Sequence, residues 1–393
     1  MGTPESHPHS APRLPGLDLL RAFAIVWVMV YHASLFDLAP ANNWFVDFGW
    51  MGVDLFFVLS GFLIAGQLLR PWAQGRAPDY PRFFTRRLLR TLPAYLVIVA
   101  LCFLIPPIRD RAHIQPLWQF LTFTQNFGLD PHPPKAFSHA WSLCVEEQFY
   151  LVFPIAVAWI AARPSAAKVI GAIVALLAFG MALRGWLWLH DVAREPFNLE
   201  AQPSAVRYMM LIYYPTWTRL DGLLAGIAAA ALQVLRPRWW ARFTARPNLL
   251  LAVGATSVVA SAVLFRDQIG GFFAAVFGYP LIAFSMALLV AGGTAPRSLI
   301  GRRAVPGAAA LAAGSYSLYL SHKLAFHALA ETASSFQPAA MAWRLPIALA
   351  GAVLAGAALY WGIERPFLRL RDRLGGATRT PMTSEPATIR ASA

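Results

Sequence analysis

Charged residues are scarce in this chain. Only 13% of its 393 residues are Asp, Glu, Lys or Arg, about half the share in a typical soluble domain, while 58% are hydrophobic. This balance excludes an ordinary soluble globular protein. Cysteine is scarcer still, since Cys102 and Cys144 are the two in the chain and fall in or beside different apolar stretches. They form neither a disulfide framework nor a ligand cluster, so we predict no metal site.

Long apolar runs dominate the sequence instead. Ten stretches are long enough to cross a bilayer, which predicts an all-α polytopic membrane protein, a bundle of about ten transmembrane helices. The stretches lie near residues 17–37, 50–69, 92–108, 141–162, 169–189, 217–235, 249–265, 272–292, 307–329 and 344–363. The flanking segments 1–16 and 374–393 are polar and predicted to be disordered. The transmembrane domain is expected to cover 17–367.

The excess of basic residues follows a pattern along the chain. The net charge of +14 would suggest nucleic acid as a partner for a soluble protein. If the N-terminus is cytoplasmic, the segments on that side hold 22 Lys and Arg residues and the opposite loops hold 6. The positive-inside rule then predicts that both termini are cytoplasmic. The expected partner is therefore the lipid bilayer and not nucleic acid.

Two ionisable residues interrupt the first apolar stretch, GLDLLRAFAIVWVMVYHASLF. Arg21 and His32 are eleven positions apart, or about three helical turns, so both lie on one helix face about 16 Å apart along the axis. Ionisable groups in hydrocarbon are costly unless they face a partner or a cavity, and they mark functional sites by default. The alternative is that each side chain snorkels to its nearer headgroup layer. The shared face favours a catalytic pair.

A basic cluster follows the second stretch. Arg86, Arg87 and Arg90 lie at about one-turn spacing in RRLLRTLPAYL. One interpretation is topogenic charge that also contacts anionic lipid headgroups. The other is a phosphate clamp, because guanidinium groups bind phosphate oxygens in bidentate fashion. A cytosolic acyl-coenzyme A, with its phosphorylated nucleotide, suits such a clamp.

Three later stretches carry further ionisable residues. In WSLCVEEQFYLVFP we expect Glu146 or Glu147 to face the bundle interior and orient a histidine, the alternative being a solvated interfacial pair. In TRLDGLLAG, Arg219 and Asp221 are expected to support the substrate site or to form a local ion pair at the helix start. In SYSLYLSH, His322 lies in the outer half of the ninth stretch. These groups predict a polar cluster facing outward.

Seven segments together resemble the acyltransferase 3 family of bacterial integral membrane acyltransferases. In chain order they are LDLLRAFAIVWVMVYH, GVDLFFVLSGFLI, RRLLRTLPAYL, WSLCVEEQFYLVFP, TRLDGLLAG, SYSLYLSH and ERPF. The family's Arg-x10-His signature matches Arg21 and His32, and its Arg-x-x-Arg element matches Arg87 and Arg90. The chain is similar to the stand-alone members that have no fused SGNH hydrolase-like domain. The family implies a multi-pass protein of the bacterial inner (cytoplasmic) membrane.

The resemblance implies an O-acyltransferase. Such an enzyme moves an acyl group, usually acetyl, from cytosolic acyl-coenzyme A to a hydroxyl of a carbohydrate or glycolipid acceptor. His32 is the expected general base, with Arg21 or Arg219 stabilising charge on the thioester oxygen. Alternatively, Arg21 holds the phosphate or the pantetheine arm of the donor. The alternative function is a multi-pass exporter of a glycan or lipid-linked sugar, although the sequence lacks the paired Gly/Pro-interrupted spans of such transporters. The sequence leaves open the acceptor, direct transfer or covalent relay, and the oligomeric state.

Overall fold

A computed structural model of the chain describes residues 14–40, 43–162, 166–194, 203–266, 270–333 and 341–376. Within these ranges the secondary structure consists of helices and one isolated β-bridge, which joins His113 to Lys135. The segments predicted to be disordered lie almost wholly outside the described residues. The bordering helices begin at Pro15 and end at Gly376.

Helices account for most of the described ranges. They are α1 (Pro15–Ser34), α2 (Trp44–Asp47), α3 (Met51–Ala73), α4 (Tyr80–Leu104), α5 (Leu117–Leu121), α6 (Trp141–Ala162), α7 (Ala166–Leu187), α8 (Pro203–Tyr208), α9 (Asp221–Leu235), α10 (Pro237–Phe243), α11 (Pro247–Arg266), α12 (Tyr279–Thr294), α13 (Ala308–Ala333), α14 (Met341–Leu359) and α15 (Arg365–Gly376). Short π-helical segments adjoin α7, α8, α12 and α14, at Trp188–Val192, Met209–Tyr213, Ala274–Gly278 and Tyr360–Glu364.

Several of these helices are suited to a membrane. Among the described residues, six are long and apolar enough to cross one, or seven if α10 and α11, which are bent by 70°, form one span. The six are Pro15–Ser34, Met51–Ala73, Tyr80–Leu104, Ala167–Val192, Ala274–Thr294 and Trp343–Leu374. Each predicted stretch contains a helix, but α9 has only 15 residues, and α6 and α13 carry many polar side chains. The structure thus supports a polytopic membrane protein, while the count of ten and the orientation stay predictions.

Helix α4 begins well before its apolar part. The Asp79 side chain accepts a hydrogen bond from the Arg82 N–H at 3.0 Å and caps the helix, and Pro81 lies in the first turn, where proline is tolerated. The basic cluster therefore lies on a helix and not in a loop. Of this cluster, Arg87 contacts α6.

Close backbone contact joins α3 to α9. A Cβ added to Gly61 would lie 2.2 Å from the carbonyl oxygen of Leu223, and one added to Gly226 would lie 2.2 Å from that of Val58. Small residues allow helix backbones to approach in this way inside a membrane. Helix α1 packs against both α3 and α13, so these helices surround the candidate site.

Candidate active site

A charged cavity of about 230 Å³ lies among α1, α3, α4, α6 and α13. We call it the arginine cavity. Its charged lining residues are Arg21, Arg86, Arg87, Arg90, Glu146, Glu147 and Arg371. Five arginines against two glutamates make the lining electropositive. The cavity therefore brings the predicted phosphate clamp together with Arg21 and with both glutamates.

Both glutamates of α6 contact Arg87. The Nη2 atom of Arg87 lies 3.5 Å from Oε2 of Glu146 and 3.5 Å from Oε1 of Glu147. Its guanidinium carbon lies 3.5 Å from the centroid of the Tyr150 ring, and the Tyr150 hydroxyl donates to Glu146 at 2.6 Å. The structure places both expected orienting groups against Arg87, and among the described residues no hydrogen bond or ion pair joins either of them to His32. Buried carboxylates need a cationic partner, and the early start of α4 provides one.

His32 contacts a second histidine instead. Its Nδ1 lies 2.7 Å from Nε2 of His322, and the rings stack with centroids 4.9 Å apart. Nδ1 of His322 lies 3.0 Å from the carbonyl oxygen of Leu318. A carbonyl only accepts, so Nδ1 of His322 carries the hydrogen, and its Nε2 accepts from Nδ1–H of His32 when both rings are neutral. This leaves Nε2 of His32 with a free lone pair, as a general base requires.

A third histidine, His139, completes what we call the histidine cluster. It is buried, with its ring centroid 5.0 Å from that of His322 and 5.8 Å from that of His32. Its Nε2 donates to the Tyr319 carbonyl at 3.0 Å, while its Nδ1 has no hydrogen-bond partner among the described residues. The sequence analysis missed His139, although it directly precedes the AWSLCVEEQ segment. The described part of the chain contains no group of three or more His, Cys, Asp or Glu side chains arranged to hold a metal ion.

The arginine cavity ends beside the histidine cluster. Ser142 and Tyr319 line the cavity, and their hydroxyl oxygens are 2.7 Å apart. The Tyr319 hydroxyl also donates to the carbonyl oxygen of His139 at 2.7 Å. These two side chains therefore form the layer between the cavity and the cluster.

A buried ion pair connects the loop between α4 and α5 to α13. Nζ of Lys323 lies 2.7 Å from Oδ2 of Asp110, whose Oδ1 accepts the Phe137 N–H at 2.8 Å. Burial alone raises the pKa of the Asp110 carboxyl, but the Lys323 ammonium and the hydrogen bonds outweigh burial, so this pKa lies below its ordinary value. Lys323 directly follows His322, and Phe137 is two positions before His139. The pair therefore positions two of the three histidines.

Arg219 and Asp221 do not pair with each other. Arg219 donates to Asp54 at 2.9 Å, and Asp221 accepts two bonds from Arg184, at 2.8 and 3.0 Å. The expected local ion pair is wrong, because Arg219 precedes α9 with a non-helical backbone and side chains two positions apart do not face each other. The sequence analysis missed Asp54 and Arg184. Each is a lone charge in an apolar stretch, the same signal that identified Arg21.

Known proteins are similar to this chain over most of its length. The chain is 28% identical over 348 residues to the O-acetyltransferase OatA of Staphylococcus aureus. This alignment covers 79% of this chain and 50% of that protein. It is 30% identical over 311 residues to the putative peptidoglycan O-acetyltransferase YrhL of Bacillus subtilis. That alignment covers 73% of this chain and 44% of the relative. The peptidoglycan O-acetyltransferase OatA of Listeria monocytogenes is 30% identical over 243 residues, or 56% of this chain and 34% of that protein.

The chain spans about half the length, or less, of these curated relatives. No solved structure matches it significantly. The family model described as an acyltransferase domain matches residues 14–361, which include the arginine cavity apart from Arg371 and the whole histidine cluster. The chain therefore belongs to the acyltransferase 3 family, as its seven segments predicted.

Proposed function

We propose that this chain is an O-acyltransferase of the bacterial inner membrane. It moves an acyl group, with acetyl as the simplest case, from cytosolic acyl-coenzyme A to a hydroxyl of a cell-surface carbohydrate. Family membership supplies the reaction class, and the names of the relatives suggest peptidoglycan as the acceptor. The observation that carries the proposal is an electropositive cavity whose lining residue Tyr319 contacts His139 of the histidine cluster, in which His32 has a free basic nitrogen.

The arginine cavity suits the phosphates of the donor. Five guanidinium groups around one cavity repel each other, and a bound phosphate relieves this repulsion through bidentate hydrogen bonds. We assign the nucleotide phosphates to Arg86, Arg87 and Arg90, with Arg87 held rigid by its glutamates. Arg21 lies about 16 Å from His32 along α1, so it contacts the donor and not the reacting carbonyl. Arg219 is paired with Asp54 and does not line this cavity.

We assign His32 as the general base of a direct transfer. Its Nε2 takes the proton of the acceptor hydroxyl while the hydroxyl oxygen attacks the thioester carbonyl. A C–O bond forms, the C–S bond breaks, and His32 returns the proton to the sulfur of coenzyme A. A base in this position contributes about 10²–10⁴-fold to the rate. His322 maintains the required tautomer of His32, the role that the sequence analysis had assigned to Glu146 and Glu147.

The test uses purified protein reconstituted in vesicles with acetyl-coenzyme A and soluble peptidoglycan fragments. We expect His32→Ala to bind the donor normally but to release its thiol about 10²–10⁴-fold more slowly. We expect Arg87→Ala to lose donor binding, measured by calorimetry. His327→Ala, on α13 outside the cluster, and Arg238→Ala, on α10 outside the cavity, are the matched controls and should behave as wild type.

Two results would contradict this assignment. Normal thiol release by a well-folded His32→Ala variant would exclude His32 as the base. Failure of folded wild-type protein to bind acetyl-coenzyme A would exclude the donor and favour the exporter.

A further inference from the structure

A second cavity, of about 460 Å³, lies toward the other end of α1. Arg21 lines the arginine cavity and Tyr31 lines this one. The two residues are ten positions apart, which corresponds to about 15 Å along the helix. We call it the aromatic cavity. Its lining includes Tyr31, Trp50, Tyr208, Tyr213 and Tyr279.

A buried cation holds two of these rings in place. The guanidinium carbon of Arg219 lies 4.6 Å from the Tyr213 centroid and 4.2 Å from the Tyr279 centroid. Arg219 is itself fixed by Asp54 at 2.9 Å, and the Tyr279 and Tyr208 hydroxyl oxygens are 2.8 Å apart. Cation–π contacts of this kind set the rings before a ligand arrives, which reduces the entropy lost on binding. They also explain why a buried arginine lies here.

Tyr31 connects the aromatic cavity to the proposed base. Tyr31 precedes His32 in α1, and their ring centroids are 5.4 Å apart. The histidine cluster thus has the arginine cavity beside His139 and the aromatic cavity beside His32. An enzyme that joins two substrates needs one binding site on each side of its base.

Resting on the proposed function, we propose that the aromatic cavity binds a sugar unit of the acceptor. The apolar face of the sugar ring stacks on Trp50 and Tyr213, and its hydroxyls bond to Asp47, His132 and the tyrosine hydroxyls that line the cavity. Tyr and Trp combine an apolar ring with a polar group, as a sugar does. The volume lies within the usual range for small-molecule sites, about 300–1,000 Å³.

A different cavity shows what a lipid site would contain. It measures about 390 Å³, lies among α3, α6, α7 and α9, and is lined almost entirely by aliphatic and aromatic hydrocarbon. Such a surface suits an acyl chain. The aromatic cavity instead offers a carboxylate, an imidazole and several hydroxyls, which can form hydrogen bonds with a sugar and not with a lipid tail.

The test compares Trp50→Ala, Trp50→Phe and the wild type, with Trp44→Ala as the matched control, since the Trp44 side chain is exposed and does not line the cavity. With soluble peptidoglycan fragments as the probe, we expect Trp50→Ala to raise the acceptor KM about tenfold without changing the KM for acetyl-coenzyme A. Trp50→Phe should recover most of the affinity, since it keeps a stacking ring. Calorimetric binding of the fragments without donor should follow the same order.

The outcomes separate this inference from the proposed function. If wild-type protein transfers acetyl groups and Trp50→Ala leaves the acceptor KM unchanged, or lowers kcat alone, the acceptor site is elsewhere. If wild-type protein transfers nothing but binds the fragments through Trp50, the aromatic cavity is retained and the proposed reaction fails. Absence of fragment binding to folded wild-type protein, or displacement of the fragments from Trp50 by a fatty-acid probe, overturns the inference.

Discussion

Several buried charged side chains in this protein pair with residues that are distant in sequence. Arg219 pairs with Asp54 across 165 positions, and Lys323 pairs with Asp110. A buried ion pair adds little net stability, but removal of one partner leaves a buried charge that is expensive. Substitution of one member should therefore cost more than substitution of both.

The pair between Lys323 and Asp110 gives a pH-dependent prediction. We expect Lys323→Met to reduce the free energy of unfolding by about 3–5 kcal/mol at pH 7, because it leaves the Asp110 carboxylate buried without its cation. In the wild type the folded pKa of Asp110 lies below the unfolded value, so the stability it contributes is lost as the pH falls through the folded pKa. In the variant, burial raises this pKa, so acidification stabilises the fold. The deficit in unfolding free energy should therefore begin to shrink as the pH falls through the raised Asp110 pKa of the variant, and continue to shrink below the ordinary Asp pKa of about 3.9.

Thermal unfolding in detergent across the pH range measures this difference. Asp110→Asn combined with Lys323→Met should recover part of the loss at pH 7, and Lys135→Met, in the loop between α5 and α6, is the control. A deficit that stays constant with pH would show that the pair does not act through charge.

Helix contacts in this fold depend on where backbones approach each other. Helices α3 and α9 meet through glycines, and α4 extends the basic cluster toward α6. The second arrangement places Arg87 between Glu146 and Glu147. The α3–α9 contact and the α4–α6 contact each depend on the position of a whole helix, since a shift of one helix would break all of its contacts with the other.

Gly226 gives a prediction for the contact of α3 with α9. We expect Gly226→Ala to destabilise the protein by about 1–3 kcal/mol, because the new methyl group would meet the carbonyl oxygen of Val58 and backbone cannot move aside as a side chain does. Gly171→Ala on α7 is the control, since a Cβ there meets nothing within 4 Å, and it should be neutral or stabilising by up to about 1 kcal/mol. Thermal unfolding measures both variants. Equal effects would show that helix propensity dominates over packing.

The molecule as a whole has two different ends. The arginine cavity lies toward the start of α1, and the aromatic cavity lies toward its end. The bias of basic residues predicts that the start of α1 lies on the cytoplasmic side. A cytosolic donor and an external acceptor would then each have a cavity on their own side of the histidine cluster.

This orientation is tested by cysteine labelling. The native Cys102 and Cys144 are buried and should give little background. An impermeant maleimide added to right-side-out vesicles should label His132→Cys at once, and should label Arg238→Cys only after permeabilisation. The reverse pattern would place the N-terminus outside and the arginine cavity away from cytosolic acyl-coenzyme A.

The sequence identified the membrane class, the family and most of the charged residues of the site. Apolar runs report a bilayer directly, because hydrocarbon excludes unpaired polar groups. A lone charge in such a run stands out for the same reason, and Arg21 and His32 were found in this way. Asp54 and Arg184 carry the same signal and were overlooked.

Partners are a different matter, because they depend on which helices become neighbours. The local sequence around these residues does not indicate that His32 contacts His322 or that Glu146 and Glu147 contact Arg87. These contacts join residues up to 290 positions apart, and they follow from how α1, α4, α6 and α13 pack around each other. The hydrophobic pattern of a membrane-spanning helix depends on each residue and its near neighbours, so the sequence alone predicts such helices. Pairing of buried charges minimises the energy of the whole bundle, so only the folded chain reveals it.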